Sequence, residues 1–167
     1  LWLSEVNETA KSNLKSRSME SGINPDRIHF ATRTQNLEDH LSRLRLADLF
    51  LDTTRYNAHT TASDALWSGL PVITCLGDSF PGRVAASLLY AIGLPNLVTK
   101  TLAEYEALAI HLATQPTAIA KIRAILSLNK TTYPLFDTTL FTRNLESVLT
   151  KMWKRYQNGL LPDHFRR

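Results

Sequence analysis

The chain has 167 residues, of which 44% are hydrophobic, and its 19 basic and 15 acidic side chains give a formal net charge of +4. This length can bury one full core, so we expect a single domain over residues 1–167. The modest, scattered charge, the single cysteine and the lack of an apolar run of about 20 residues together predict a cytoplasmic protein with neither a nucleic-acid nor a membrane partner.

Short apolar strands alternate with helices along the first hundred residues. Strands are predicted at 1–3, 28–31, 49–51, 71–74 and 97–98, and helices at 5–20, 37–47, 60–67 and 83–92. This alternation is typical of right-handed βαβ units and predicts an α/β fold with a Rossmann-like parallel sheet flanked by helices. Beyond residue 99 the pattern predicts a helical C-terminal tail, with helices at 102–113, 117–128 and 138–156.

Polar loops follow three of the predicted strands. They are Thr32–Asn36, Asp52–Ala58 and Cys75–Pro81. Ligands in open parallel sheets bind beyond the carboxyl ends of the strands, so these loops are where a ligand site is expected.

The segment from Leu49 to Gly69 predicts an anion site. It reads as a buried strand, a polar loop and a helix that opens with His59, Thr60 and Thr61. The first turn of a helix has unpaired N–H groups and partial positive charge, which can hold a phosphate without a lysine. Asp64, one turn later, suits a ribose or sugar hydroxyl. The alternative is a helix start whose hydroxyls only satisfy the backbone.

A second candidate pair lies on the predicted helix at 37–47. His40 and Arg43 are three residues apart and therefore share one helix face. An imidazole beside a guanidinium can frame a flat, polar base. The alternative is a solvated surface pair beside Glu38 and Asp39.

No pattern favours a metal or a nucleophilic triad. The five histidines have no metal-ligand spacing, and one cysteine cannot build a thiolate cage; the histidines are at 29, 40, 59, 111 and 164. Cys75 follows a strand, but no Gly-x-Ser-x-Gly turn surrounds it, so a small apolar filler is the simpler interpretation. The dinucleotide motif G-x-G-x-x-G is also absent from the sequence.

Taken in order, several segments resemble the O-GlcNAc transferase and SPINDLY family, glycosyltransferase family 41. The resemblance covers essentially the whole chain and is carried by Leu46–Thr53, Asn57–Thr61, Asp64–Val72, Gly82–Ser87, Pro134–Asp137, Met152-Trp153 and Pro162–His164. It implies a GT-B fold, in which two Rossmann-like halves enclose the active site, usually behind tetratricopeptide repeats. This chain would be most of the C-terminal, donor-binding half.

The resemblance also implies roles for individual residues. His59, Thr60 and Thr61 would meet the diphosphate of the donor, and Asp64 its ribose. His40 and Arg43 match positions that contact the base. Tyr56 matches a position that lines the sugar pocket. The family's catalytic histidines lie in the N-terminal half, so no catalytic residue is expected in this chain.

The sequence thus predicts the donor-binding part of a protein O-glycosyltransferase. It would transfer a sugar from a UDP-sugar to Ser or Thr of an acceptor protein, without a metal or cofactor, and the predicted sugar is GlcNAc. Its partners would be the donor, the acceptor and the missing N-terminal catalytic half with its repeats, and the fragment alone would be inactive. The alternatives are an inactive nucleotide-binding or protein-interaction module of the same fold and a GT-B nucleotide-sugar epimerase, and the donor could instead be another UDP-sugar or GDP-fucose.

Overall fold

A computed structural model describes residues 1–165 of the chain, and these divide into two units, the first spanning residues 1–40 and the second beginning at residue 41. In the first unit, strand β1 (Trp2–Ser4) leads into helix α1 (Glu8–Glu20), and a 3-10 turn at Pro25–Arg27 leads into strand β2 (His29–Ala31). The two strands pair in parallel. Helix α2 (Leu37–Leu44) begins in this unit and ends in the second.

The second unit contains a three-stranded parallel sheet and most of the helices. Strand β4 (Val72–Cys75) lies between β3 (Phe50–Leu51) and β5 (Val98–Thr99), and both neighbours run parallel to it. The helices are α3 (Thr60–Ser68), α4 (Val84–Ala91), α5 (Leu102–Thr114), α6 (Pro116–Thr132) and α7 (Thr138–Gln157), with 3-10 turns at Pro95–Leu97 and Pro134–Phe136. The predicted βαβ alternation, parallel pairing and helical tail are confirmed.

The core of the second unit forms around strand β4. Val72 and Ile73 point to opposite faces of the sheet, and both are fully buried. Such a strand needs helices on both faces, which explains its continuous apolar run. The residues that complete this core come from α3, α4, α6 and the connections between them: Leu66, Leu70, Leu89, Ile92 and Leu126, among others.

Helix α3 is terminated by a glycine turn that aims the chain into β4. Gly69 has a φ of 84°, in the left-handed region. Its N–H donates to the Leu66 carbonyl at 3.1 Å, and the Leu70 N–H donates to the Ala65 carbonyl at 2.9 Å. This is the Schellman arrangement, in which a glycine reverses the chain and the next apolar residue packs back on the helix. Buried Leu70 is that residue.

Two helix ends differ from the sequence prediction. Helix α1 was expected from residue 5 but begins at Glu8, because the Asn7 side chain accepts the Ala10 N–H and caps it. Helix α2 was expected to reach residue 47 but ends at Leu44. Beyond it the chain tightens into i to i+3 hydrogen bonds, and Arg123 Nη2 donates to the Ala47 carbonyl at 2.5 Å.

Helix α6 continues four residues beyond the predicted end, to Thr132. Asn129 is buried and its side-chain amide donates to the Ile92 carbonyl at 2.8 Å, which holds this last turn against the core. Tertiary contact therefore overrides the weak helix propensity of Asn and Thr. Within residues 1–165, no helix is both long and apolar enough to cross a membrane.

The end of helix α4 gives a testable packing constraint. Gly93 has a φ of 75°, and a Cβ there would overlap the Tyr133 ring, whereas a Cβ at Gly69 would meet nothing within 4 Å. Both Gly93→Ala and Gly69→Ala should lose about 1–2 kcal/mol from the left-handed backbone. We expect Gly93→Ala to lose more free energy of unfolding than Gly69→Ala in urea unfolding. In a Tyr133→Ala background, this additional loss should disappear and the loss from the left-handed backbone should remain. Equal losses at the two glycines would contradict the packing argument.

Candidate functional site

The loop after β3 is organised by one buried carboxylate. Asp52 is 4% exposed and directly follows the strand. Its Oδ1 accepts the N–H of Thr53 at 2.9 Å and the N–H of Ala58 at 2.7 Å, so a single oxygen holds both ends of the loop. Its Oδ2 accepts the Thr74 hydroxyl at 2.6 Å, which ties the loop to the neighbouring strand β4.

A polar network extends beneath this loop across the end of the sheet. The Tyr105 hydroxyl, on α5, donates to the Asp52 carbonyl at 2.9 Å, and the Thr99 hydroxyl donates to the Thr74 carbonyl at 3.1 Å. Burial raises the pKa of Tyr105 to about 12, and the nearby Asp52 charge adds to that shift. Tyr105 therefore stays a neutral hydrogen-bond donor throughout the physiological range.

The loops after β3 and β4 are joined to each other. The Asn57 N–H donates to the Pro81 carbonyl at 2.9 Å, and the Gly77 N–H donates to the Gly82 carbonyl at 2.8 Å, which closes the second loop on itself. A Cβ at Gly82 would lie 3.2 Å from the Arg55 carbonyl oxygen. Glycine at this position lets the two backbones approach closely. The prediction that both loops lie at the carboxyl edge of a parallel sheet is confirmed.

Helix α3 begins at Thr60, as predicted, and its N-terminus is uncapped. His59 is the N-cap residue and makes no side-chain cap hydrogen bond. The first helical bond is from Ser63 N to the His59 carbonyl, and within residues 1–165 nothing accepts the N–H groups of residues 60 to 62. Thr60 and Thr61 are exposed. By contrast, Thr101 caps α5 and Asp137 caps α7.

The opposite end of α3 is neutralised by a cation. Lys130 Nζ donates to the Trp67 carbonyl at 2.9 Å and lies 5.6 Å from the centroid of the Trp67 ring. A cation at a helix C-terminus satisfies a carbonyl and the negative end of the macrodipole. The positive end of α3 has no side-chain cap among the described residues. The cap-only alternative for Thr60 and Thr61 therefore lacks the hydrogen bond that it requires.

His59 lies among aromatic rings at the start of this helix. Its imidazole stacks on the Tyr56 ring with centroids 5.0 Å apart and an interplanar angle of 10°. The Phe80 ring, from the other loop, meets it edge-on at 6.1 Å and 88°. His59 Nε2 is buried and has no hydrogen-bond partner within the described chain. Because buried polar atoms are nearly always hydrogen-bonded, this nitrogen needs a partner that the described chain does not supply.

The structure places four of the seven predicted site residues on one short segment, Tyr56 and His59 to Thr61. Asp64 lies on α3 one turn beyond Thr60 and is partly exposed. His40 and Arg43 are both on α2, three residues apart as predicted. Their orientation towards His59 stays a prediction.

Sequence reasoning passed over the residues that hold the site together. Asp52 was assigned only as the start of a loop, and neither Thr74 nor Tyr105 was singled out. One signal was available, since an acidic residue placed directly between an apolar strand and a polar loop at a sheet edge often accepts backbone N–H groups. Phe80 carried no such signal, because an isolated exposed aromatic in a loop has no spacing to interpret.

Comparison with known proteins places the chain among glycosyltransferases. The model of the family described as Glycosyl transferase family 41 matches residues 1–145. A UDP-N-acetylglucosamine-peptide N-acetylglucosaminyltransferase of Caenorhabditis elegans is 39% identical over 98% of this chain. A probable enzyme of the same name, SEC, from Arabidopsis thaliana is 36% identical over 99%. This chain spans 14% and 17% of those two relatives.

A solved structure gives the same result for the fold. A mutant of the O-GlcNAc transferase from Thermobaculum terrenum matches 92% of this chain with a TM-score of 0.85 and 30% identity, and the match covers 30% of that structure's chain. The predicted resemblance and the predicted Rossmann-like α/β fold of a GT-B half are confirmed.

The buried carboxylate gives a pH prediction. Burial raises the pKa of Asp52 above its ordinary value of 3.8, and the hydrogen bonds from Ala58, Thr74 and Thr53 offset this only in part. The folded chain therefore holds this proton more tightly than the unfolded chain. The stability that the proton contributes is fully present below the unfolded pKa and is lost as the pH rises through the folded pKa.

We therefore expect the free energy of unfolding of the wild type, minus that of Asp52→Asn, to fall as the pH rises from about 3.8 through the raised pKa, and then to level off. Denaturant unfolding over a pH series measures it. Thr74→Val removes a hydroxyl that lowers this pKa, so the fall should extend to higher pH in that background. A difference that grows with pH would contradict the assignment.

Proposed function

Because the chain belongs to glycosyl transferase family 41, we propose that it is the donor-binding part of an enzyme that transfers N-acetylglucosamine from a UDP-sugar to Ser or Thr hydroxyls of proteins. The names of its relatives describe that transfer to a peptide. Since the chain spans a small fraction of their length, we assign it one task within the reaction, which is to hold the donor and stabilise its leaving group.

The observation that carries this proposal is the open N-terminus of α3. Three backbone N–H groups without an acceptor among residues 1–165, the Thr60 and Thr61 hydroxyls and the unpartnered Nε2 of His59 all belong to one helix end. A diphosphate needs several donors and positive potential, and a helix start supplies both. Helix α3 is fixed by buried Ala62, Ala65 and Leu66, so its donors keep their directions when the ligand binds.

The remaining predicted residues extend the site along the donor. Asp64 can accept hydrogen bonds from ribose hydroxyls, because a carboxylate is an acceptor only and repels phosphate. Base recognition is assigned to His40 and Arg43, an imidazole and a guanidinium three residues apart on α2. Tyr56, which is 66% exposed and stacks on His59, is assigned to the sugar pocket.

The chemical role follows from where charge develops. As the acceptor hydroxyl attacks the anomeric carbon, the bond from that carbon to the diphosphate oxygen breaks and negative charge builds on departing UDP. Fixed N–H dipoles and hydroxyls at α3 already point at that charge and need no reorganisation. This assignment requires no metal or cofactor at the diphosphate. The acceptor's proton is taken by a base that we assign to none of the residues of this chain.

Replacing Thr60 and Thr61 together by Val in the full-length protein should weaken UDP binding by about 1–3 kcal/mol, since two hydroxyl donors to a charged group are lost and water partly compensates. Isothermal titration with UDP measures the loss. Unfolding temperature should change little, because neither hydroxyl caps the helix.

The matched control is Thr138→Val with Thr139→Val. These threonines are also exposed and occupy the first two positions of α7, whose N-terminus is already capped by Asp137. UDP affinity should be unchanged in the control. If the α3 variant keeps its UDP affinity but melts at a lower temperature, its threonines support only the helix, and the phosphate assignment is wrong.

A further inference from the structure

We propose that Phe80 is a donor-contacting, specificity-determining residue, whose ring packs against the apolar face of the sugar attached to the diphosphate. The inference rests on the proposed function and adds a contact from the loop Cys75–Pro81, where the sequence predicts a ligand site but from which no residue has yet been assigned to the donor. Three observations support it: the exposure of the ring, the fixed loop that presents it, and its angle to Tyr56.

Phe80 is 79% exposed, compared with 65% for Phe141 and 38% for Phe165. Its ring contact is with His59, at the edge of the diphosphate site. Leaving an apolar ring in water beside a polar site costs hydrophobic free energy, which a ligand that covers the ring recovers. Small-molecule sites combine such apolar walls with a few polar groups.

The loop that carries Phe80 is fixed before any ligand binds. The Arg83 N–H donates to the Phe80 carbonyl at 3.1 Å, and the carbonyl of the next residue, Pro81, accepts the Asn57 N–H at 2.9 Å. Gly77 and Gly82 close the loop below it. A ring presented on a fixed backbone loses little conformational entropy on binding, so its contact contributes more to affinity.

The two exposed rings around His59 form a corner. Tyr56 is nearly parallel to the imidazole, at 10°, and Phe80 nearly perpendicular to it, at 88°. The planes of Tyr56 and Phe80 are therefore close to perpendicular to each other. A pyranose has one face of C–H groups and a rim of hydroxyls, and a corner of two aromatic walls receives such a ring in one orientation. The sugar and the ribose are both bonded to the diphosphate. Since the ribose is assigned to Asp64 and the sugar to Tyr56, which stacks on His59, the ring that meets His59 from the other side of this corner is placed against the sugar.

The test compares UDP with UDP-N-acetylglucosamine on the same full-length protein. Phe80→Ala should weaken binding of the UDP-sugar roughly tenfold, the effect of losing one well-packed aromatic contact, and leave UDP affinity unchanged. Phe80→Leu keeps apolar area without an aromatic face and should give a smaller loss. Phe141→Ala, which removes a 65% exposed ring from α7, should change neither affinity. Isothermal titration gives all values.

An equal loss of UDP and UDP-sugar affinity in Phe80→Ala would overturn the inference, because the ring would then act by holding His59 in place. Unchanged affinity for both ligands would overturn it as well. In either result the wild type still binds UDP, so the proposed function survives. A wild-type protein that binds neither ligand overturns the proposed function, and the role of Phe80 with it.

Discussion

The carboxylate of Asp52 is the constraint on which the candidate site depends. One of its oxygens holds both ends of the loop between β3 and α3, and the other holds that loop to β4. Its raised pKa means that burial destabilises the charged carboxylate by more than the three hydrogen bonds stabilise it. The charge therefore lowers stability relative to a neutral group. What it provides is geometry, because Ala58 immediately precedes the N-cap of α3, and fixing its N–H fixes where the helix begins.

The two ends of helix α3 differ in how their backbone groups are hydrogen-bonded. Lys130 neutralises the C-terminal end, buried alanines and Leu66 fix the middle, and the N-terminal end has no cap. A side-chain cap would take up one of the N–H groups that a phosphate could otherwise use, so the lack of a cap lowers local stability and leaves an additional donor at the helix start. An anion bound at this end would supply the missing hydrogen bonds, so we expect ligand binding to increase the free energy of unfolding.

The alternation of strands and helices could be predicted from the sequence because local signals mark where each element ends, as Gly69 and Pro71 do between α3 and β4. It also placed the start of α3 at Thr60. It could not show contacts that depend on register. Thr74 follows Asp52 by 22 residues and reaches it only because β3 and β4 pair side by side. The end of α2 likewise depends on Arg123, 76 residues beyond Ala47. Residue types indicate which chemistry is available, whereas strand pairing determines which side chains come into contact.

The backbone donors around the site are divided between two tasks. The N–H groups of Thr53 and Ala58 point inward to Asp52, and that of Asn57 reaches the neighbouring loop. Those of residues 60 to 62 have no acceptor within residues 1–165, and we assign them to the ligand. Because Thr53, Ala58 and Thr74 supply the hydrogen bonds to Asp52, its carboxylate does not take up the N–H groups at the helix start, although it would add negative charge near a diphosphate bound as proposed. Its Coulomb repulsion would be offset in part by the donors already aligned on the carboxylate, while the N–H groups at the start of α3 would be directed to the phosphate in the proposed complex. A loop that contains one buried carboxylate can therefore still precede the proposed anion site, which begins eight residues later at Thr60, provided that the two sets of N–H groups point in different directions.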